Sequence, residues 1–166
     1  YLANFASLMR KILDASQQSK ISLQEEVEML KLYLDLELMR FSNRFTYDIH
    51  IDESIINEDF DIPSMVIQPF VENAIWHGLL NKESDAHLNI NFKELADNDH
   101  EILCEVIDNG IGRKLSETFK NKLNKHKSKG IDITKERLKR LSKIPQADSI
   151  EIIDMEDEGG NALGTH

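Results

Sequence analysis

Apolar positions along this chain follow two periods, and the change between them falls near residue 45. Leu2, Phe5, Met9, Ile12 and Leu13 recur at helical spacing. Ser22-Leu23-Gln24-Glu25 is a capping-box pattern that predicts the start of a second helix. Along that helix Leu23, Val27, Leu30, Leu34, Leu38 and Phe41 form a stripe, widened by Met29, Leu32 and Leu36. So broad a face packs on two neighbours, as in a bundle or a domain junction, or on the core of its own domain; the pattern leaves both open.

From Thr46 the period becomes two. Tyr47, Ile49 and Ile51 alternate with Asp48 and His50, which predicts a strand, followed by an acidic loop from Asp52 to Asp61. Pro63 is expected in the first turn of a helix, and Pro69 to restart or kink it, because proline lacks the donor that a helix interior uses. Leu88, Ile90 and Phe92 mark a second strand and Ile102 to Ile107 a third, with Asp97-Asn98-Asp99 as the turn between them. Ile131 to Ile144 reads as a helix with Ile133, Leu138 and Leu141 inward. Ile150, Ile152 and Ile153 predict a fourth strand, and Glu158-Gly159-Gly160-Asn161 a hairpin turn. The expected fold is α+β: a sandwich of one mixed sheet with helices on one face, preceded by a helical hairpin. A doubly wound parallel sheet fits less well, since the second and third strands are too closely joined for a crossover helix. The expected division is a helical region at 1–44 and a sandwich at 45–166.

Composition narrows the function classes. The chain has 166 residues and a net charge of -10, which argues against a general nucleic-acid binder, because neutralising phosphates needs clustered Lys and Arg. One cysteine, Cys104, lies in an apolar strand pattern, so no disulfide framework exists and a reduced, cytosolic protein is expected. No apolar run approaches the ~18–20 residues needed to span a bilayer. Neither a zinc site nor a catalytic triad has support, for the cysteine has no ligand-spaced partner. One segment opposes the global charge: Arg113 to Lys129 holds seven basic residues and one acidic residue, a net of +6. Such runs are usually solvated surface, but its place between two glycine-bearing segments suits a lid over phosphates.

Those segments carry the candidate chemistry. Val71-Glu72-Asn73-Ala74-Ile75-Trp76-His77-Gly78 puts an amide and an imidazole four residues apart on one helical face. Asp108-Asn109-Gly110-Ile111-Gly112 follows an apolar strand and sets a carboxylate before a glycine turn; Gly130 lies beyond the basic run. An amide oxygen suits Mg²⁺, a buried carboxylate suits an exocyclic amine, and glycines let backbone N–H groups approach phosphate.

At these residues the chain resembles the LytS-type branch of the sensor histidine kinases, whose ATP-binding domain has the Bergerat fold shared with DNA gyrase, MutL and certain heat-shock chaperones. The signature is Ile62-Pro63-Ser64-Met65-Val66-Ile67-Gln68-Pro69-Phe70-Val71-Glu72-Asn73-Ala74-Ile75-Trp76-His77-Gly78. Leu23 to Glu26 and Tyr33 to Phe41 match the linker helix; Asp108 to Gly112, Glu136-Arg137-Leu138 and Gly164-Thr165 match downstream. The resemblance implies two cofactors, ATP and Mg²⁺. It assigns Asn73 and His77 to catalysis, Asn73 also to Mg²⁺ and His77 to the same face near the nucleotide, with a capping or core role for His77 of comparable weight. It gives Asp108 to the adenine amino group, Gly110 and Gly112 to the turn beneath base and phosphates, and Gly130 to a phosphate-facing helix start. Lys127, Lys129 and Thr165 complete the implied ATP site.

Departures from the family pattern fall at Pro69, where a second asparagine is usual, at Trp76, often basic, and at Ser128 and Ile133 around the lid exit. None of the six histidines stands in the Asn-Pro-His-Phe motif that holds the family's phosphoacceptor, which is therefore expected upstream of residue 1. The resemblance implies a kinase passing phosphate to a response regulator receiver domain, homodimeric in the full-length protein. It also implies a cytoplasmic position, and membrane attachment only through segments outside these residues. Two competitors are an ATP hydrolase of the same superfamily, which needs a water-activating Glu where Pro69 stands, and a non-catalytic nucleotide-sensing or dimerisation module.

Overall fold

A computed structural model describes residues 2–56, 58–95, 101–113, 129–141, 150–160 and 162–166; the side chains of residues 129, 137 and 139–141 lie outside that description. Two helices come first, α1 (Leu2–Ser16) and α2 (Leu23–Arg40), separated by a short strand β1 (Lys20–Ser22). The capping box closes as its sequence predicts. The Glu25 N–H donates to the Ser22 hydroxyl at 3.2 Å, and the Ser22 N–H donates to the Glu25 carboxyl at 3.1 Å. The broad stripe of α2 serves two neighbours. Met29 and Leu36 join Leu8, Ala15 and Ile21 in a small cluster against α1. Leu23, Val27, Leu30 and Leu34 enter the main core beneath the sheet.

The rest alternates strands and helices: β2 (Phe45–Ile51), α3 (Glu53–Ile56), β3 (Asp61–Pro63), α4 (Gln68–Asn73), β4 (Ala86–Glu94) and β5 (Ile102–Asp108). Then come α5 (Lys129–Leu141), β6 (Asp154–Glu156) and β7 (Ala162–Thr165). The main sheet has the order β2-β4-β5-β7-β6; β2 and β4 are parallel and the other pairs antiparallel, so the sheet is mixed. Ala86, Leu88, Ile90 and Phe92 of β4 are buried against Val71, Ala74 and Ile75 of the helical layer. The intervening His87, Asn89 and Asn91 lie on the other face, which gives the period-two alternation its physical meaning. Opposite Leu88, Ile90 and Phe92 stand Asp108, Val106 and Cys104, so β5 presents these three to the core side. The expected α+β sandwich is the observed one. Among the described residues no helix is long and apolar enough to cross a membrane.

Several local expectations are corrected. Pro63 does not open a helix but ends β3, paired with Lys20 of β1 in a separate two-stranded sheet. A strand end tolerates the missing donor. The acidic loop contains the short helix α3, held by burial of Ile55. Ile133 is 63% exposed and Thr134 is buried in its place. The inward face of α5 runs through Ile131, Thr134 and Leu138, spaced at helical intervals. The strand predicted over the isoleucines begins only at Asp154, as β6; Ile150 and Ile152 instead wall a cavity. Ile153 alone takes ladder-like bonds, exchanging N–H···O contacts of 2.6 and 2.8 Å with His166. The Asp97-Asn98-Asp99 turn, Asn161 and the predicted end of α5 lie outside the described residues.

Leu34 is fully buried where α2 meets the sheet core. Leu34→Ala is expected to lower unfolding stability by about 3 kcal/mol in denaturant titration. A loss below about 1 kcal/mol would show that α2 is not part of the main core.

Candidate functional site

Pro69 stands in the first turn of α4, where its missing N–H leaves no bond unmade. Beyond Asn73 the helix widens into a π turn over Ala74–Gly78, and the Leu79 N–H bonds to the carbonyls of both Ala74 and Ile75. Such insertions recur at functional positions. The Asn73 side-chain amide donates to the Pro69 carbonyl at 2.6 Å, which orients the group and leaves Oδ1 as the acceptor it can offer to a cation. Asn73 and His77 both line a cavity of about 650 Å³ between the helical layer and the sheet.

Asp108, at the end of β5, lines the same cavity with only 3% of its surface exposed. Its Oδ1 accepts the Gly110 N–H at 2.8 Å, and the Thr165 backbone N–H also donates to it. Burial pushes the carboxyl up to about 6, against those two donors and the charge of Lys82. Neighbouring bonds fix the turn that follows. Asn109 accepts the His87 N–H and donates to the Asp85 carbonyl, each at 2.8 Å, while Lys82 Nζ donates to the Asn109 carbonyl at 2.8 Å.

Three glycine backbones pack closely around Asp108 and its neighbours. A Cβ on Gly78 would sit 2.6 Å from Asp108 Oδ1, and one on Gly110 would collide with the backbone of Gly78. Gly164 holds a φ of +130° with its Cα against the Asp108 carbonyl. No side chain fits at any of the three.

The histidine kinase family model matches residues 1–45. The LytS sensor protein of Oceanobacillus iheyensis is 32% identical over 135 residues, 80% of this chain and 22% of that protein. The sensor histidine kinase/phosphatase LytS of Staphylococcus aureus is 32% identical over 112 residues, 67% of this chain and 18% of that protein. The histidine kinase domain of a blue-light activated histidine kinase from Erythrobacter litoralis superposes with a TM-score of 0.52 at 11% identity, covering 99% of this chain and 78% of that one. That last likeness is one of fold. The chain belongs to the LytS-type histidine kinases. It spans only about a fifth of the length of the two LytS relatives.

In this LytS-type chain the cavity gathers Asn73, His77, Asp108, Gly112 and Thr165 from the predicted site. Gly112 takes a φ of +73°, as its turn requires. Gly110 lies behind Asp108 rather than on the cavity wall. Gly130 is in the first turn of α5, where an added Cβ would come within 3.3 Å of the Pro69 ring; it therefore packs helix on helix. Lys129 opens α5, its side chain outside the description, and Lys127 and Ser128 lie outside the described residues. Sequence reasoning missed Gly78 and Gly164 as parts of the Asp108 enclosure. Both stood inside motifs already singled out, and the signal was that a buried carboxylate needs backbone close on every side. It also missed Glu26, a buried carboxyl on α2.

The raised Asp108 pKa fixes the sign of a pH effect. Because the folded value lies above the unfolded one, its stabilising contribution is complete below about 4 and is lost as pH rises through about 6. Denaturant midpoints of wild type and Asp108→Asn are therefore expected to diverge between pH 4 and 7, wild type losing more stability as pH rises. Parallel curves would contradict the burial of an ionisable group there.

Proposed function

We propose that this LytS-type chain is the ATP-binding catalytic portion of a sensor histidine kinase. The observation that carries the reading is a buried carboxylate and an oriented amide oxygen on the walls of one cavity of about 650 Å³, a volume typical of ligand sites. Asp108 would accept the adenine amino group, and its bonds to Gly110 and Thr165 hold it for that contact. A carbonyl at the same place would face an acceptor, so ATP should be preferred to GTP by roughly 1–3 kcal/mol. Asn73 would supply Mg²⁺ with one oxygen. Among the described residues no cluster of three acidic, histidine or cysteine side chains could hold a metal, which suits a cation whose remaining ligands are phosphate and water.

When bound, Mg-ATP supplies the transferable phosphoryl group and part of the charge neutralisation. The chain's own share is positioning. His77 flanks Asn73 on the cavity wall, which Gly112 and Ile131 also line, and Lys127 and Lys129 belong to the basic segment expected to cover the phosphates. The acceptor would be a histidine outside these residues, and the phosphate would pass to an aspartate of a response regulator receiver domain. Residues 1–44 would be the end of the dimerisation and phosphoacceptor region and its linker, residues 45–166 the catalytic domain of a cytosolic, homodimeric assembly.

Titration with ATP in the presence of Mg²⁺ tests this directly. Saturable binding is expected, weaker for GTP, abolished by Asp108→Ala, and weakening as pH falls through about 6 because the acceptor becomes protonated. Absence of binding at millimolar ATP would sink the assignment. Steady ATP turnover without a histidine acceptor would favour a hydrolase instead.

A further inference from the structure

Glu26 lies in α2, the helix that leads into the sheet, yet its carboxyl group is 1% exposed and bonds to a different element. The Met65 N–H donates to its Oε2 at 2.9 Å and the Ile67 N–H donates to its Oε1 at 3.3 Å. Ile67 immediately precedes α4, and no side chain within that turn caps the helix. Met65 holds a φ of +55°, a conformation that a side chain of its kind keeps only when its surroundings enforce it. The same loop is pinned again one residue earlier, where the Ser64 hydroxyl donates to the Gln18 carbonyl at 3.0 Å. The segment entering the motif helix is thus held from the α2 side, and the principal holder is Glu26.

We propose that Glu26 is a positioning residue for the cation site: it caps the motif helix from a neighbouring helix and fixes where Asn73 presents Oδ1. The inference rests on the ATP reading above, because Asn73 is given its role there. Ile67 to Asn73 covers less than two helical turns, about 9 Å at ~1.5 Å per residue, with continuous backbone bonding. Over so short a span a displaced helix start carries Asn73 with it. The two bonds also make α2 and the start of α4 move together, so a shift of α2 reaches the cation site by this route.

Glu26→Gln tests the idea with little change of volume, since it turns one acceptor into a donor facing a backbone N–H. ATP affinity without Mg²⁺, which depends on Asp108, is expected to stay within about twofold of wild type, while the gain that Mg²⁺ adds falls about tenfold. Amide hydrogen exchange is expected to rise through Phe70 to Asn73 and to stay unchanged in β4. A purely structural residue would lower both affinities alike and open β4 as well, which would overturn the proposal. So would unchanged exchange in α4. Should Glu26→Gln fail to fold, Glu26→Asp keeps the charge but is one methylene shorter, and the same selective loss, smaller in size, is expected of it; a wild-type Mg²⁺ gain and wild-type exchange in that variant would overturn the proposal. If the wild type binds no ATP, the functional reading falls, and the exchange comparison still decides whether Glu26 positions the helix.

Discussion

The architecture depends on keeping a carboxylate almost wholly out of water at the end of a central strand. Among the described residues no cationic side chain bonds to Asp108; backbone N–H groups of Gly110 and Thr165 carry most of the compensation, with Lys82 nearby. Backbone donors can reach a buried side chain only where nothing projects between them. Gly78 abuts the carboxyl, Gly110 abuts Gly78 and Gly164 abuts the Asp108 main chain, and each is sterically closed to a Cβ. The condition also sets topology. Thr165 must lie opposite Asp108, which draws β7 beside β5, and Gly78 must come down onto the carboxyl, which fixes where the motif helix ends.

The π turn at Ala74–Gly78 fits the same requirement. Widening a helix disturbs its carbonyl ladder, and those groups need other partners. Asn81 Nδ2 donates to the Trp76 carbonyl at 3.2 Å and to the His77 carbonyl at 3.3 Å, and the Ile111 N–H reaches the Gly78 carbonyl at 3.4 Å. The last of these ties the helix end to the glycine turn after Asp108. Helix and turn therefore hold each other, and Asn73, His77 and Asp108 share one cavity as a result.

Much of this was readable in the residues. The Ser22–Glu25 box and the alternation in β2 and β4 each rest on a local rule, while the pairing of Asn73 with Asp108 in one site came from the family resemblance. What was missed depends on contacts between distant segments. Pro63 obeys strand-end logic only because β1 lies beside β3. Ile133 faces water because the inward face of α5 is set by its approach to Pro69 through Gly130, not by the most apolar residue in the helix. Ile150 and Ile152 wall a cavity, a place no period reveals. Glu26 carried no role of its own in the sequence pattern, since burial of a carboxyl is decided by the donors that surround it.

Trp76 shows how α2 changes the meaning of a motif position. A basic residue is usual there in the family, and here the indole packs edge-on to Phe41 at 5.2 Å between centroids, with the Arg40 guanidinium 4.9 Å from its ring. Tyr33 hydrogen-bonds to Trp76, and burial raises the pKa of that tyrosine and of Glu37 beside it. The cation at this place comes from α2, held over an aromatic face rather than carried by the motif helix itself. Glu26 at one end of α2 and Arg40 at the other thus grip the two ends of the motif segment, Met65 to Trp76. A helix with that grip, and with side chains in both the α1 cluster and the sheet core, is more than a tether. Its packing against α1 and its hold on the entry to α4 run through the same helix.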